Sequence, residues 1–379
     1  MIYLDNAATS FPKPPSVINE SMRAMRVYGG NPGRSGHSLS LAAANKVYEC
    51  RSLLSGMFGC DESGVIFTQN TTYAINLLLK GLLGRGDHVI ISDMEHNSVY
   101  RPIYKMAKDG FISFSVFNSL LGEKSRDARS ICAEVSKLLR PNTRLLICAA
   151  SSNICSASLP IRELGALCKR HKIFFALDAA QAAGHTVINF GDCGADAVCI
   201  PAHKGLFGPM GCGALLLADS KSNLLDTLAE GGNGAASLEG AMSLEAPERY
   251  EVGTLPLVSI AGLCEGIKFV NKLTFPFIAE HERLCFRRAR ELISSLDGAK
   301  IYAPEHEGAV LLFEMRSIPS EQVADALDKA GICVRAGFHC SALGHRTLGT
   351  SENGAVRLSF SPVNKPSDAD AVYNVLKTL

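Results

Sequence analysis

Three polar positions stand directly after apolar runs that are typical of buried strands. Asp178 follows the run at residues 173–177, and Lys204 follows the run at 197–200 and opens a glycine-rich stretch. The third position is residues 68–72 (TQNTT), which lead from a strand into an apolar helix. Because ligands in open α/β sheets bind beyond the carboxyl ends of the strands, these residues are expected to share one site.

The three positions have complementary chemistry. A lysine at a strand end can bond covalently to a carbonyl carbon and then act as a base. A buried aspartate can keep a pyridinium nitrogen protonated, and hydroxyl and N–H groups at a helix start suit a phosphate. Together they predict a pyridoxal phosphate site. Taken singly, Asp178 and the threonines could be helix caps, and Lys204 a surface lysine.

Cys340 is the candidate nucleophile of the chain. Cleavage of a C–S bond needs a group that receives the sulfur, and a thiolate near cations is well suited to this. Arg335 and His339 lie close in sequence and could supply the positive charge, while Gly337 and its polar neighbours favour an exposed loop. A metal site at His339, Cys340 and His345 would lack a fourth ligand at zinc-like spacing, so no metal is predicted.

Alternating apolar runs and helical patterns must position these residues. They predict an α/β fold in which a mostly parallel sheet is flanked by helices. Residues 220–256 are glycine-rich without periodicity and predict a loop, and residues 258–272 predict a helix. We predict a large domain at residues 14–257 and a small domain formed by 1–13 and 258–379. The apolar runs cover residues 65–67, 88–91, 144–148, 173–177, 197–200 and 214–217.

The composition of the 379-residue chain excludes several classes of protein. With 38 basic and 37 acidic residues its formal net charge is only +1, so it has no strong positive electrostatic field to attract nucleic acid or an anionic membrane. No apolar run reaches the roughly 18–20 residues of a membrane span, and the N-terminus does not resemble a secretory signal. Thirteen scattered cysteines without a CxxC pair argue against a disulfide framework. A cytoplasmic protein is expected.

The sequence resembles the class V aminotransferase-like pyridoxal phosphate enzymes, and among them the cysteine desulfurases and selenocysteine lyases. The resemblance runs nearly end to end, and its most specific segments are residues 202–204 (AHK) and 335–340 (RAGFHC). It implies fold type I, with a large domain, a smaller α+β C-terminal domain and a homodimer. Further matching segments are residues 3–8, 31–37, 67–76, 95–98, 152–153 and 178–181.

The resemblance also implies how the cofactor is held. Lys204 would bind it covalently, with Asp178 at the pyridine nitrogen and His96 stacked on the ring. Gln181 and Asn153 would lie near the phenolic oxygen. The phosphate would be bound by Thr71, Thr72 and His203, together with Thr254 of a second subunit.

For the substrate, the resemblance implies that Arg357 binds the α-carboxylate, as a planar guanidinium can do with two hydrogen bonds. Arg335 and Asn153 are expected in the same pocket, and Arg34 and His37 at an entrance shared between subunits. L-cysteine would give L-alanine and a persulfide on Cys340 that passes to a sulfur-acceptor protein. Lys204 would take the Cα proton, and His96 could carry protons.

One departure from the family pattern is Pro201, where many relatives have a serine that binds the phosphate. Proline offers neither hydroxyl nor N–H, so one hydrogen bond is lost or supplied elsewhere. The short approach from Arg335 to Cys340 resembles the second group of desulfurases, whose compact cysteine loop has limited reach. Three alternatives stay open: a selenocysteine lyase with the same residues, another class V aminotransferase or an epimerase, and a catalytically degenerate scaffold homologue.

Overall fold

The computed structural model describes residues 1–33, 36–121, 124–235 and 237–379. The helices in chain order are α1 (Pro15–Arg26), α2 (Ser38–Phe58), α3 (Thr71–Leu82), α4 (Asn97–Lys108), α5 (Ala128–Leu138), α6 (Ile161–His171), α7 (Phe190–Cys193), α8 (Leu257–Leu273), α9 (Phe275–Ser294), α10 (Ser320–Lys329), α11 (Ala342–Thr347) and α12 (Asp368–Leu376). The strands are β1 (Ile2–Tyr3), β2 (Val65–Thr68), β3 (His88–Ser92), β4 (Ser113–Phe117), β5 (Leu120–Leu121), β6 (Lys124–Ser125), β7 (Thr143–Ala149), β8 (Phe174–Asp178), β9 (Ala197–Pro201), β10 (Gly213–Leu217), β11 (Ala299–Tyr302), β12 (Val310–Met315), β13 (Ile332–Cys333), β14 (Arg335–Gly337) and β15 (Ala355–Ser359).

The main sheet contains seven strands of the described chain, in the order β2-β10-β9-β8-β7-β3-β4. The pairs from β9 to β4 are parallel, and β10 is antiparallel to both of its neighbours. All six apolar runs correspond to strands of this sheet, so the predicted mostly parallel α/β fold is confirmed. The edge strand β4 was missed because its sequence, SFSVF, is only partly buried and has no long apolar run.

Two hydrophobic cores cover the faces of the main sheet. Along β8, Phe174 and Ala176 face one core and Phe175 and Leu177 face the other, as the period of two in a strand requires. Helices α3 and α4 pack in the first of these cores, and α2, α6 and α8 pack in the second. Burial on both faces explains why the central strands are continuous apolar runs.

A second, four-stranded antiparallel sheet, β11-β12-β15-β14, lies in the C-terminal part of the described chain. Its apolar side chains share a third core with α9, α10 and α12. The N-terminal segment joins this part, because β1 pairs in parallel with β13 and Ser359 N–H donates to the Leu4 carbonyl at 2.7 Å.

The division into residues 14–257 and residues 1–13 with 258–379 stays a prediction. The predicted helix at 258–272 is confirmed as α8, but its buried residues, such as Ile260 and Ile267, belong to a core of the main sheet. We therefore propose that the boundary follows α8 rather than precedes it.

The glycine-rich segment before α8 contains neither helix nor strand in the described residues 222–256, as predicted. It is fixed to the main sheet by Glu251, whose carboxylate accepts from Phe67 N–H at 2.7 Å and from Arg51 Nη2 at 2.9 Å. Both charged side chains are buried. No helix of the described chain is long and apolar enough to cross a membrane.

The thirteen cysteines all lie in the described residues and none forms a disulfide. Ten are buried, Cys132 and Cys333 are half-buried, and Cys340 is exposed. The expectation of an exposed loop at Cys340 is therefore confirmed.

Candidate functional site

One cavity at the carboxyl ends of β7, β8 and β9 gathers most of the predicted site residues. These are Thr71, Thr72, His96, Asn153, Asp178, Gln181, His203, Lys204, Arg335, Cys340 and Arg357. They come from both sheets, so the site lies between the large sheet and the strands β14 and β15. The position agrees with the rule that ligands of open α/β sheets bind beyond the strand ends.

Lys204 and Asp178 are adjacent charges in this cavity. Burial lowers the pKa of the Lys204 amine to about 8, against the opposing effect of Asp178. A substantial share of the amine is therefore neutral near physiological pH, as a nucleophile or base must be. The backbone before Lys204 is fixed, because Lys13 Nζ and Thr9 Oγ1 both donate to the His203 carbonyl, at 2.9 and 3.0 Å.

Asp178 ends β8 and is 3% exposed. Its Oδ1 accepts from Ala180 N–H at 3.0 Å, and its Oδ2 from the Ser98 hydroxyl at 3.3 Å. No helix begins here, so the alternative of a helix cap does not apply. Fully buried Glu95 lies nearby, and burial raises its pKa to about 8.

The start of α3 forms the end of the cavity expected to hold the phosphate. Asn70, not a threonine, caps the helix, because its Oδ1 accepts from Tyr73 N–H at 2.9 Å. Thr71 is 7% exposed, and its hydroxyl has no hydrogen-bond partner among the described residues. His203 Nδ1 is likewise buried and unpartnered within the described chain. Burial lowers the pKa of His203 to about 4, so the ring is neutral.

The unpartnered groups of Thr71 and His203 are those that a bound pyridoxal phosphate would satisfy. A buried hydroxyl without a partner costs about 1–3 kcal/mol, and such groups in native proteins call for an explanation. A phosphate at the N-terminus of α3 would accept from Thr71 and from the free N–H groups of the first turn. With Asp178 and Lys204 lining the same cavity, the donors and charges fit the cofactor.

Pro201 lines the same cavity at the end of β9. It offers no donor to a phosphate. The unpartnered Thr71 hydroxyl and His203 Nδ1 are candidates to make the hydrogen bond to the phosphate that a serine at position 201 would make.

His96 caps α4 and lines the cavity. Its Nδ1 accepts from Ser98 N–H at 3.0 Å, so the neutral ring carries its proton on Nε2. Burial lowers the pKa of His96, with Asp178 opposing the shift, so the neutral form dominates at physiological pH. Ser98 thus connects His96 to Asp178. It lies in a segment that matches the family, residues 95–98, but no role was predicted for it.

Arg357 lies in β15 and is almost fully buried. Its Nη1 donates to the Asn153 carbonyl and its Nη2 to Asp5 Oδ1, both at 2.9 Å. Its Nε is buried without a partner in the described part of the chain. Nη1 and Nη2 each keep a second N–H, so the guanidinium retains donors for a substrate carboxylate.

Asp5 is the site residue that sequence reasoning missed. Its carboxylate also accepts from Arg335, with Nε at 3.1 and 3.0 Å from the two oxygens and Nη2 at 2.7 Å. One buried carboxylate thus joins the two predicted substrate arginines. The only signal was its place in the matching segment at residues 3–8, because 330 residues separate it from Arg335.

The loop that carries Cys340 is compact and firmly held. His339 and Cys340 have φ values of 49° and 53°, a left-handed conformation that costs a non-glycine residue free energy unless its surroundings fix it. The Cys340 carbonyl accepts from Asn97 N–H at 2.7 Å, and the His339 carbonyl from Asn153 Nδ2 at 2.7 Å. The loop is therefore tied to the start of α4 and to the cavity wall.

His339 does not supply the positive charge expected of it. Burial lowers its pKa to about 3, and neighbouring Arg357 adds to the effect. Its Nδ1 lies 3.1 Å from His345 Nε2, and the His345 Nδ1 lies 2.6 Å from the Thr350 hydroxyl. The two imidazoles thus hydrogen-bond to each other and stabilise the loop. Arg335, Arg357 and Lys204 are cationic groups that interact with Cys340.

Asn153 and Gln181 both line the cavity, and the side-chain amide nitrogen of each already donates a hydrogen bond. Asn153 donates to the cysteine loop, and Gln181 Nε2 donates to the Ala7 carbonyl at 2.9 Å. The predicted contacts of both residues with the phenolic oxygen stay predictions.

Two predicted residues of the described chain, Thr254 and His37, lie outside the cavity. Thr254 lines a separate surface pocket, where Asn31 Nδ2 approaches its hydroxyl at 3.5 Å. His37 is exposed and caps α2, accepting from Ser40 N–H at 3.3 Å. Arg34 lies outside the described residues. The roles of these residues at an entrance shared by two subunits stay predictions.

Comparisons with known proteins agree with this architecture. The model of the family described as aminotransferase class-V matches residues 2–372. The chain is 29% identical over 393 residues to a protein of Methanothermobacter thermautotrophicus named "Probable cysteine desulfurase", covering 100% of this chain and 94% of the relative. A protein of the same name from Pyrococcus abyssi is 29% identical over 389 residues, with the same coverage. The apo structure of a cysteine desulfurase from Thermococcus onnurineus is similar with a TM-score of 0.90 and 27% identity, covering 100% of this chain and 94% of that one.

Proposed function

Because the chain belongs to the aminotransferase class-V family, we propose that it is a pyridoxal phosphate-dependent cysteine desulfurase. It would convert L-cysteine to L-alanine and receive the sulfur on Cys340. The observation that carries this proposal is the exposure of Cys340 on the wall of the cavity that also contains Lys204 and Arg357. The names of the relatives agree with it.

The cofactor, when bound, supplies an electron sink for the negative charge that develops at the substrate Cα. Thr71, Thr72 and His203 would hold its phosphate, Asp178 its ring nitrogen and Lys204 its aldehyde carbon. His96 would pack on the ring, and Asn153 and Gln181 would lie beside its oxygen. The buried unpartnered groups of Thr71 and His203 support this assignment.

The residues of the chain then position the substrate and move its protons. Arg357 would bind the α-carboxylate with its remaining N–H donors, while the bonds that Nη1 and Nη2 already make keep the guanidinium in place. The Lys204 amine, with its lowered pKa, takes the Cα proton. Neutral His96 can donate the Nε2 proton or pass it on.

Sulfur transfer follows at Cys340. Its thiolate attacks the substrate sulfur, an S–S bond forms, and the C–S bond breaks with its electron pair on the substrate carbon. Protonation of Cβ and return of a proton to Cα complete alanine, and the protein retains a persulfide. Arg335 and Arg357 place positive charge near the attacking sulfur. The two left-handed residues hold Cys340 at the cavity.

We propose a homodimer for this activity. Thr254 lies in a pocket separate from the cavity of its own protomer, so it would contact a phosphate only as a residue of a second copy. Arg34 and His37 would line the same entrance. The outer sulfur of the persulfide must finally leave Cys340, so a sulfur-acceptor protein would be a further partner. A reducing cytoplasm would be the compartment, because free thiols persist there.

The experiment that tests the function compares Cys340→Ser with Cys333→Ser. Neither change removes a group that binds the cofactor, so both variants should keep its visible absorbance and its shift with L-cysteine. Alanine formation should fall by orders of magnitude in Cys340→Ser, because a serine hydroxyl cannot hold a persulfide. Half-buried Cys333 lies in β13, and its variant should retain activity.

Full alanine production by Cys340→Ser would overturn the desulfurase proposal and favour an aminotransferase. If Cys340→Ser lost activity with L-cysteine but kept it with L-selenocysteine, the Cys340 thiol would be needed only for sulfur, because selenium is the better leaving group. A wild-type protein that takes up no pyridoxal phosphate would indicate a degenerate homologue.

A further inference from the structure

Cys340 lines two separate spaces. One is the cavity that contains Lys204, and the other is a groove of about 450 Å³ between α3 and α4. His96 borders both of them. Because Cys340 is exposed, a sulfur atom that it receives in the cavity is accessible from the groove.

The groove follows α3 and α4 away from the edge of the main sheet. Both helices begin after strands that run in the same direction, because β2 is antiparallel to β10, β10 is antiparallel to β9, and β9 to β3 are parallel. Thr72 and Asn97 line the near end of the groove. Lys80 and Lys105, each eight residues later on its helix, line the far end, which is about 12 Å away. An extended chain of about four residues has this length, so the groove fits a peptide segment.

The lining of the groove is positively charged. Lys80, Arg101 and Lys105 are exposed, and Asp109 is the one carboxylate among the described residues that line it. Lys105 Nζ donates to Asp109 Oδ2 at 2.6 Å, whereas neither Lys80 nor Arg101 makes an ion pair within the described chain. Burial lowers the pKa of His96 and the charge of Arg101 adds to this shift. That charge therefore acts at the end of the groove that adjoins the cavity.

We propose that this groove receives an acidic segment of the sulfur-acceptor protein, with the acceptor cysteine placed at Cys340. The inference rests on the proposed function, which ends with a persulfide. The loop of Cys340 is fixed, because its carbonyl accepts from Asn97 N–H and two left-handed residues hold it. The acceptor thiol must therefore come to Cys340. Carboxylates beside that thiol would pair with Lys80 and Arg101, the two cations of the groove that are free to bind them.

The transfer itself needs no further reagent. The acceptor thiolate attacks the outer sulfur of the persulfide and forms a new S–S bond. The bond between that sulfur and Cys340 Sγ breaks with its electron pair on Sγ. The acceptor then carries the persulfide with its proton, and Cys340 is again a thiolate. The charge of the groove acts on the encounter, because complementary charges raise association rates.

The test measures how fast the persulfide passes to two acetylated and amidated peptides, EECEE and QQCQQ. The cofactor-loaded protein is treated with L-cysteine, freed of excess substrate and mixed with either peptide. Mass spectrometry then follows the extra sulfur on Cys340. The ratio of the two rate constants measures the preference for an acidic acceptor. Since every variant meets the same two peptides, the intrinsic reactivity of their thiols cancels when its ratio is compared with that of the wild type.

Removal of the free cations should lower this ratio. Lys80→Gln and Arg101→Gln should each lower it about 2- to 5-fold at low salt, as expected for the loss of one exposed ion pair. The double variant should lower it about 4- to 25-fold. Lys108→Gln is the matched control, because it removes the same charge from an exposed position of α4 outside the groove. It should keep the wild-type ratio, and all variants should still form the persulfide.

The inference is wrong if the double variant keeps the wild-type ratio. It is also wrong if Lys108→Gln lowers the ratio as much as Arg101→Gln does, since the effect would then follow net charge. A wild-type protein that forms no persulfide with L-cysteine would overturn the proposed function and the inference with it. A wild-type protein that forms the persulfide, but whose ratio no variant changes, would overturn the inference alone.

Discussion

Replacing Thr71 by valine should have opposite effects on the stability of the apoprotein and on cofactor binding. The threonine hydroxyl is buried and has no partner among the described residues. Valine has nearly the same shape without the hydroxyl, so Thr71→Val removes an unsatisfied group worth about 1–3 kcal/mol. For a chain of this length that gain raises the melting temperature of the apoprotein by about 1–4 °C.

The same hydroxyl should donate to the phosphate once the cofactor is bound. A hydrogen bond to a charged group contributes about 1.5–3 kcal/mol, so the dissociation constant of pyridoxal phosphate should rise about 10- to 100-fold in Thr71→Val. The assay combines a thermal melt of the apoprotein with a titration of the same sample by the cofactor, followed by absorbance.

Thr72→Val is the matched control for this prediction. Thr72 is exposed one residue later on α3, so its variant should leave the melting temperature of the apoprotein unchanged while still weakening the cofactor. The reasoning is refuted if Thr71→Val lowers the melting temperature and binds the cofactor as tightly as the wild type.

Two further predictions concern Lys204 and Pro201. Burial lowers the pKa of Lys204 to about 8, and only the neutral amine reacts. The rate of cofactor uptake by the apoprotein should therefore rise with pH through about 8 and level off above it. A rate that keeps rising toward the ordinary pKa of 10.5 would contradict the lowered pKa. Pro201→Ser should tighten cofactor binding by about 10- to 100-fold, as one added hydrogen bond to a charged phosphate, worth about 1.5–3 kcal/mol, requires. An unchanged dissociation constant in the titration would show that the phosphate needs no donor at position 201.

The strands of the main sheet were predictable because each central strand is buried on both faces. Their apolar runs are continuous, and the polar residue after each run marks where the strand ends. Asp178 and Lys204 could thus be placed at one edge of the sheet from the pattern of residues alone. The same pattern did not reveal β4, because this strand is only partly buried and its sequence has no continuous apolar run.

The electrostatic environment of the site could not be predicted, because it depends on contacts between distant parts of the chain. Asp5 meets Arg357 across 352 residues, and no spacing in the sequence indicates that pair. His339 was expected to be charged from its type alone, whereas its pKa follows from its burial beside Arg357. Helix capping by Asn70 rather than Thr71 was also beyond reach, since both residue types are suitable caps.

The unequal exposure of the thirteen cysteines has a consequence for a protein that handles reactive sulfur. Burial raises the pKa of eleven of these thiols, which stay protonated and shielded within the fold. Thiols of this kind react slowly with disulfides and persulfides, because the thiolate is the reactive form. Sulfur delivered to Cys340 therefore meets eleven cysteines elsewhere in the chain that react slowly with it.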